Sequence, residues 1–440
     1  MADDDDAQQD EPHVILYFDV NKTVIMHDPM QGKDIQHILN DLLTERAYGD
    51  VVDDAVSGEK TWVWNGNSVL AADDGEIAAA IVGDEGGQVS YGRFLRAHYP
   101  MSADPAVAKR NKKLRKVLRQ DFTKPGHAGE KLASEHNALL EKLKLPLDVE
   151  DVHARRQALG LDDSQYLFIL PAFFRFMQHL HARGTKFNLI FRTYGDDLER
   201  VAQEFNCFCE GSHPYFPSGD GSETSSKRRL LMDGSDGGVD RRIHLAPRET
   251  DREEAHRFGT FFRSDELTAL VMGTFEQPHA DHKPQDLSFY DALQAQKLQV
   301  VAGIPAIHDF LTSKWRAEQA TLAIRDFYPF WFRKCEDACA GKLMTLDPDD
   351  EASNNTHVMF FDDNILPHEP HIVDARDARD GSPLDFFTVT KDVHLLRVEP
   401  LNAIRDDNFF IDRFHASLER KREKQTLRGP LSLLDHASSP

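Results

Sequence analysis

Three acidic residues follow apolar segments in two distant parts of the chain. Asp19 comes directly after the run 13–18, and Asp362 and Asp363 come directly after the run 358–361. Carboxylate oxygens suit Mg²⁺, and a carboxylate can also act as a nucleophile. A single acid at such a position often caps a helix or a turn instead, so the chemical interpretation depends on whether the two acidic sites meet around one metal.

The elements that would position these acids are strands of a parallel sheet. Almost continuous apolar runs indicate strands buried on both faces, and a third such run, 187–191, is followed by Thr193. Acidic residues then open a predicted helix over 196–205, and a strand, a polar turn and a helix in this order present backbone N–H groups to an anion. Since ligands bind at the carboxyl ends of such strands, the pattern predicts an α/β fold and a phosphate-binding role for Thr193.

The segment 19–23, Asp-Val-Asn-Lys-Thr, resembles the first motif of the haloacid dehalogenase (HAD)-like superfamily of phosphatases and phosphotransferases, Asp-x-Asp-x-Thr. Thr193 is similar to the second motif, and the Asp362-Asp363 pair is similar to the fourth. The Lys of the third motif has two candidates, Lys342 and Lys314, of which Lys342 is nearer to the acidic pair. The set resembles a eukaryotic branch with a divergent first motif. The resemblance implies a Rossmann-like core with a parallel sheet and a large, mostly helical inserted cap.

The resemblance also implies an activity and a role for individual residues. The activity is that of a magnesium-dependent phosphatase that acts on a phosphorylated small molecule or phosphoprotein through an aspartyl-phosphate intermediate. The implied catalytic residues are Asp19, which would attack phosphorus, Asn21 and Lys342. The implied phosphate-binding residues are Thr23, Thr193, Gly195 and Lys342. The implied Mg²⁺ ligands are Asp19, Asp362, Asp363 and the backbone carbonyl of Asn21.

Asn21 departs from the motif, because phosphatases carry a second Asp there that protonates the leaving group and activates water. An amide cannot transfer that proton at neutral pH. Three alternatives follow. The protein is a slow phosphatase, or it is a phosphatase that uses another acid such as Asp28 or His27, or it is an inactive protein that binds phosphate ligands or protein partners. Carbon–halogen hydrolysis needs no metal, and the retained Asp362-Asp363 pair argues against it. Lys22, where phosphatases usually carry Gly, either reaches phosphate or points into solvent.

Composition and charge limit the classes of function. The 440 residues carry 74 acidic and 52 basic side chains, a net charge of -22, which argues against a general binder of nucleic acid or of an anionic membrane. The four cysteines are too few for a disulfide framework, and neither close pair has the usual spacing of a zinc site. The chain has no apolar run of bilayer length, and its acidic start does not resemble a signal peptide. A cytoplasmic protein is therefore expected.

Changes in composition divide the chain into segments. The first and second motif strands are separated by far more residues than a parallel crossover needs, so the excess is predicted to be a cap. The Gly- and Ser-rich segment 217–254 would be a surface loop or partly disordered insertion. Alternatively it would be a lid whose Lys227, Arg228 and Arg229, or Arg241 and Arg242, bind an anionic substrate. The predicted segments are a disordered acidic tail (1–12), an HAD-like core (13–30 and 166–415), a helical cap (31–165), a flexible loop (217–254) and a loose C-terminal tail (416–440).

Three further elements are predicted in the second half of the core. Apolar and aromatic spacing predicts one long helix packed into the core over 307–332, which Pro329 would end or kink. Short apolar runs near 371–373 and 394–398 predict strands that extend the sheet beyond the acidic pair.

Overall fold

An eight-stranded, mostly parallel sheet forms the centre of the protein. The computed structural model describes residues 11–28, 32–53, 58–68, 89–100, 102–145, 151–161, 164–216, 231–246, 256–279, 286–293, 297–353 and 355–428. Its strands are β1 (His13–Asp19), β2 (Ala47–Asp53), β3 (Lys60–Ser68), β4 (Val89–Ser90), β5 (Phe187–Thr193), β6 (Phe258–Arg263), β7 (Thr268–Met272), β8 (Gln299–Ala302), β9 (Thr321–Arg325), β10 (Lys342–Leu346), β11 (Thr356–Asp362), β12 (Val373–Asp377) and β13 (Leu395–Arg397). Its helices are α1 (Ile35–Arg46), α2 (Tyr91–His98), α3 (Pro105–Gln120), α4 (Ala133–Leu143), α5 (Val152–Ala158), α6 (Pro171–Arg183), α7 (Leu198–Cys209), α8 (Ser288–Asp291), α9 (Ile304–Asp309), α10 (Tyr328–Arg333), α11 (Pro348–Ser353), α12 (Pro400–Arg405) and α13 (Phe409–Arg428).

The order of the strands brings the three predicted motif strands together. The sheet runs β13, β11, β1, β5, β9, β6, β7, β8. Neighbours from β13 to β6 are parallel, and β7 and β8 are antiparallel additions. Phe18 on β1 is in register with Phe361 on β11 and with Phe191 on β5. The predicted α/β class with a mostly parallel sheet is therefore confirmed, and the carboxyl ends of β11, β1 and β5 lie side by side.

Both faces of β1 are covered, which explains its continuous apolar sequence. Alternate side chains of a strand point to opposite faces, so Leu16 and Phe18 belong to one apolar cluster and Ile15 and Tyr17 belong to another. Phe18 stacks on Phe361 with 4.5 Å between the ring centroids. Full burial of such a side chain contributes about 1.5–3 kcal/mol. This packing fixes β1 in the middle of the sheet and thereby fixes the position of the carboxylate at its end.

The helix signals in the sequence correspond to α1 and α6. The carboxylate of Asp34 accepts the backbone N–H of His37 at 2.9 Å, which is the hydrogen bond of an N-cap. α6 begins at Pro171 and ends before Gly184, whose φ of 69° is a left-handed conformation that glycine adopts without strain. The turn at Gly184 leads into β5.

The insertion between β1 and β5 contains a sheet as well as helices. Its described residues form α1 to α5 and a three-stranded antiparallel sheet in the order β3, β2, β4. Trp62 on β3 packs on Tyr91 and Phe122, with ring centroids 5.1 and 6.1 Å away. The sequence predicted only the strand around Trp62, because Gly49 and two acidic residues make β2 a poor strand by composition.

The prediction of one long helix over 307–332 is wrong. After α9 the chain forms a π-helical turn, Phe310–Lys314, then β9, and then α10. Residues 321–324 are buried between β5 and β6, and a short apolar run does not by itself distinguish a buried strand from a helix. Pro329 lies in the first turn of α10, where the helix needs no N–H from it.

Part of the predicted flexible loop packs against the core. Arg241 is 5% exposed, its guanidinium lies 3.6 Å from the ring centroid of Phe187, and it donates to the backbone carbonyls of Phe187 and Gln319, the latter at 2.6 Å. Arg241 therefore holds the start of β5, and both alternatives predicted for it, an exposed surface loop and a substrate lid, are wrong. The segments 217–230 and 247–254 of that loop, and residues 1–10 of the acidic tail, lie outside the described residues.

The C-terminal segment predicted to be loose is helical as far as it is described. α13 extends to Arg428, and residues 429–440 lie outside the described part of the chain. Ser417 is buried in α13 and donates to the carbonyl of Val393 at 2.6 Å, while Nε2 of His357 donates to the Ser417 oxygen at 2.9 Å. The charged residues that suggested a tail, such as Glu419, are the exposed face of a helix whose other face packs on β11.

Replacement of His357 is expected to change the pH dependence of stability. Burial lowers the pKa of His357 from 6.5 to about 3, against the opposing effect of nearby Glu351. Below pH 6.5 the unfolded state therefore binds a proton at His357 that the folded state does not bind. The contribution of neutral His357 to the unfolding free energy is therefore complete above pH 6.5 and is lost as the pH falls toward 3. The loss from this group between pH 7 and pH 5 is about 2 kcal/mol.

We expect His357→Gln to show a smaller fall in unfolding free energy between these two pH values than the wild-type protein, as measured by urea denaturation. His98→Gln is the matched control, because His98 is exposed on α2. An unchanged pH dependence in His357→Gln would contradict the assignment.

Candidate functional site

A cavity of about 1210 Å³ lies at the carboxyl edge of the central sheet. Asp19 at the end of β1, Asn21 and Lys22 in the next turn, Lys342 on β10 and Asp363 after β11 all line it. Further lining residues come from the chain after β5, from the end of β9 and from α10, and include Gly195, Asp197, Arg325, Tyr328 and Trp331. The predicted acidic sites of the two distant segments therefore meet in one cavity.

Lys342 joins two of the acidic residues. Its Nζ donates to Oδ1 of Asp19 and to Oδ2 of Asp362, the latter at 2.7 Å, and all three side chains are buried. Lys314, the other candidate for the third motif, lies instead over the rings of Phe310 and Trp315 at 5.2 and 5.4 Å. Of the two, Lys342 is therefore the lysine at the site.

The strand that carries Lys342 belongs to a small separate sheet. β10 pairs in parallel with β12, and Lys342 is opposite Val373. The strand predicted near 371–373 is β12, so it does not extend the central sheet as expected. The strand predicted near 394–398 is β13, which does so at the edge next to β11.

Three carboxylates share this space with one ammonium group. One oxygen each of Asp19, Asp362 and Asp363 lie within 4.8 Å of one another. Burial and the two other carboxylates raise the pKa of Asp19 well above its usual value, and burial raises the pKa of Asp363 to about 6. Burial opposes the charge of Lys342, but the carboxylates outweigh it and raise its pKa. The cluster is therefore short of positive charge, and a cation beside the carboxylates would relieve their repulsion.

The side chain of Asn21 is engaged on all sides. Its Oδ1 accepts the hydroxyl of Thr193 at 3.1 Å, and its Nδ2 donates to the carbonyl of His27 at 3.0 Å and to Oδ2 of Asp197 at 2.9 Å. Asp197 is 4% exposed, and burial raises the pKa of its carboxyl group although the bond from Asn21 lowers it. A carboxyl group therefore lies directly beside the amide that replaces the second acid of the motif.

The hydroxyl groups predicted to bind phosphate make hydrogen bonds within the protein. Thr193 accepts the backbone N–H of Gly195 at 2.9 Å while it donates to Asn21. Thr23 is fully buried and accepts the backbone N–H of Asp363 at 3.1 Å. A Cβ at Gly195 would approach Oδ2 of Asp197 to 2.9 Å, so a larger residue there would shift the Asp197 carboxylate. Thr23 and Thr193 thus position other site residues, and Gly195 lines the cavity.

Lys22 adopts a left-handed conformation at the edge of the cavity. Its φ is 60°, a region that costs about 1–2 kcal/mol for a residue with a Cβ and that explains why glycine suits this position. Its side chain lines the cavity, and its charge lowers the pKa of Asp363 against the larger effect of burial. Lys22 therefore faces the site.

Several charged residues of the cavity, among them Asp197 and Arg325, are not predicted as site residues from the sequence. Asp197 comes four residues after Thr193, in the acidic turn that opens α7, and that spacing was a usable signal. Arg325 ends β9, which was predicted as helix, so no signal placed it at the sheet edge. Tyr194 and Trp331, stacked with 5.4 Å between ring centroids, add an aromatic wall.

The other metal-competent side chains are explained without a metal. The cysteines Cys207, Cys209, Cys335 and Cys339 are free, and none belongs to a group of potential ligands within the described residues. Glu351, His357 and His394 form such a group. Nδ1 of His394 donates to the carbonyl of Val358 at 2.8 Å, and Lys421 lies 3.4 Å from Glu351. This cluster therefore links α13 to β11 and β13.

Comparisons of the chain with protein-family models, with curated proteins and with solved structures find no significant match. Among the described residues, no helix combines the length and apolar character needed to cross a membrane.

Loss of the lysine at the site is expected to destabilise the protein. Lys342→Met leaves Asp19 and Asp362 buried without their cation, and breaking a buried pair in this way costs about 3–5 kcal/mol. Urea denaturation would measure the loss. Lys314→Met is the matched control with a small expected effect, and equal losses in both variants would contradict the charge balance described above.

Proposed function

We propose that the protein is a Mg²⁺-dependent phosphatase of the HAD-like type, which hydrolyses a phosphorylated compound through an aspartyl-phosphate on Asp19. The observation that carries the proposal is the contact of Lys342 with both Asp19 and Asp362 beside a large cavity. A carboxylate nucleophile and a phosphate repel each other, so phosphoryl transfer to Asp19 needs cations at this position. Lys342 supplies one of them.

The donor set fits Mg²⁺. Asp19, Asp362 and Asp363 offer carboxylate oxygens close together, and the resemblance adds the backbone carbonyl of Asn21. Hard oxygen ligands of this kind suit Mg²⁺, whereas zinc sites use mainly His and Cys. When bound, Mg²⁺ would neutralise phosphate oxygens and orient the phosphoryl group.

The reaction has two displacement steps at phosphorus. In the first, an oxygen of Asp19 bonds to phosphorus, the bond from phosphorus to the leaving oxygen breaks, and that oxygen takes a proton. In the second, water attacks phosphorus, gives up a proton, and the bond to Asp19 breaks to release inorganic phosphate. Lys342 holds Asp19 in place and compensates its charge in the resting state.

The proton transfers need a residue other than Asn21, whose amide is committed to its three partners. Asp197 is the carboxyl group beside it, lines the cavity, and has a raised pKa that favours proton donation. We assign both transfers to Asp197, which donates in the first step and accepts in the second. Of the two acids considered from the sequence, Asp28 lines the cavity and His27 does not.

Phosphatase activity is expected with a panel of phosphorylated compounds in the presence of Mg²⁺, and a chelator should abolish it. Asp19→Asn removes the nucleophile and is expected to lower kcat/KM by at least about 10³-fold. Asp412→Asn is the matched control, because Asp412 is exposed on α13 and lies outside the cavity lining. Activity that survives in Asp19→Asn, or its absence from the wild-type protein with every compound, would refute the proposal.

The alternative is a weak or inactive HAD-like protein that binds phosphate ligands or protein partners, and Asn21 favours it. Asn21→Asp restores the acid of the motif and is expected to raise kcat about 10-fold or more for substrates with poor leaving groups, since acid–base help is worth about 10²–10⁴-fold. Steady-state kinetics would measure the change. No gain, together with undetectable wild-type turnover, would favour the binding function.

The partner and the location of the protein stay predictions from the sequence. The predicted partner is a phosphorylated small molecule or a phosphoprotein, and neither nucleic acid nor a membrane is expected. The predicted location is the cytoplasm.

A further inference from the structure

Arg325 has an unpartnered guanidinium group at the carboxyl edge of the sheet. Its Nε is buried and donates no hydrogen bond, and it forms no ion pair with the described residues. Arginines on the neighbouring strands are paired, since Arg192 on β5 donates to Asp326 at 3.0 Å and Arg263 on β6 donates to Asp374 at 2.6 Å. Arg192 and Arg263 each form an ion pair with an Asp, whereas Arg325 forms none with the described residues, so its charge lacks a partner that a ligand could supply.

Arg325 lines the same cavity as the proposed phosphoryl site, but it is on a different strand from Asp19. Arg325 is in register with Thr193 of β5 and lines the same cavity as Asp19. β5 separates β9 from β1, so the backbones of β1 and β9 lie about 10 Å apart. That separation is larger than one phosphoryl group. Arg325 therefore lies two strands away from Asp19 along the edge of the sheet that the cavity covers.

Among the described residues, no acidic side chain forms an ion pair with Arg325. Glu276 and Glu336 line the cavity with it, yet neither is within ion-pair distance of its guanidinium group in the described structure. Lys342, the buried cation of the cavity, is fully committed to Asp19 and Asp362. Arg325 is half-buried, lines the cavity and forms no ion pair with the described residues, so its charge is available to a ligand.

We propose that Arg325 binds a second anionic group, a carboxylate or a phosphate, of the same substrate whose phosphoryl group reacts at Asp19. This inference rests on the proposed phosphatase function. A guanidinium group offers two parallel N–H donors that match a carboxylate or phosphate, and such bidentate pairs are among the stronger hydrogen bonds. The substrate class is thus a phosphomonoester with a second anionic end, joined by a spacer that spans the distance from Asp19 to Arg325.

The test compares matched substrates. Alkyl phosphates that end in a carboxylate, in a second phosphate or in a neutral carboxamide, each with spacers of several lengths, are assayed with the full-length protein and Mg²⁺. The variants are Arg325→Gln, which removes the charge, and Arg325→Lys, which keeps the charge but loses the two-pronged donor. Arg333→Gln is the control, because Arg333 is exposed on α10 and does not line the cavity.

The wild-type protein is expected to prefer one of the two anionic series over the carboxamide series, and the preferred series identifies the second anion. Arg325→Gln should lower kcat/KM for that series about 10- to 100-fold and change the carboxamide series little. For the preferred series, kcat/KM of Arg325→Lys should lie between the values of the wild type and of Arg325→Gln. Arg333→Gln should have the same kcat/KM as the wild type.

Two results would overturn this inference and leave the phosphatase function intact. One is equal activity of the wild type on the charged and neutral series. The other is an equal loss on both series in Arg325→Gln, which would mean that Arg325 contacts the reacting phosphoryl group itself. If the wild type hydrolyses none of the compounds, the proposed function fails, and calorimetric binding of the same compounds still decides whether Arg325 selects a second anion.

Discussion

The interaction on which the site depends is the one between Lys342 and the two carboxylates Asp19 and Asp362. Neither a carboxylate nor an ammonium group is stable in a buried position without a charged partner. The contact therefore requires that the ends of β1 and β11 and the start of β10 lie at one place, although Asp19 is 323 residues from Lys342 in the chain. The parallel central sheet places the ends of β1 and β11 side by side, and β10 of the small sheet adds Lys342. The third carboxylate, Asp363, leaves the cluster with the negative charge that makes it suitable for a cation.

The sequence predicted the centre of this arrangement because that centre depends on local patterns. β1, β5 and β11 are buried along their whole length and mainly apolar, and each ends in a site residue, Asp19, Thr193 or Asp362. Pro171 and Gly184 set the ends of α6 by backbone preference alone. From the sequence, Lys342 is preferred to Lys314 because it is nearer to the Asp362-Asp363 pair along the chain. In three dimensions, its contact with Asp19 distinguishes the two lysines.

The parts that the sequence did not predict depend on contacts between distant residues. The short aliphatic run of β9 is compatible with a buried helical turn as well as with a strand. Only its pairing between β5 and β6 determines that it is a strand. α13 has a charged sequence typical of a tail, and its helix depends on packing through Ser417 onto β11. Asp197 and Arg325 are ordinary charged residues in the sequence, and their importance comes from the amide beside one and the lack of a partner for the other.

The left-handed turn at Lys22 has a consequence for how this chain could vary. A glycine would adopt that φ without steric strain, so the lysine is retained at a conformational cost. Residues that are less stable than an available substitute are a common feature of functional sites, where activity and stability are in conflict. The edge of the cavity is thus a place where the chain carries an extra positive charge at the expense of conformational stability.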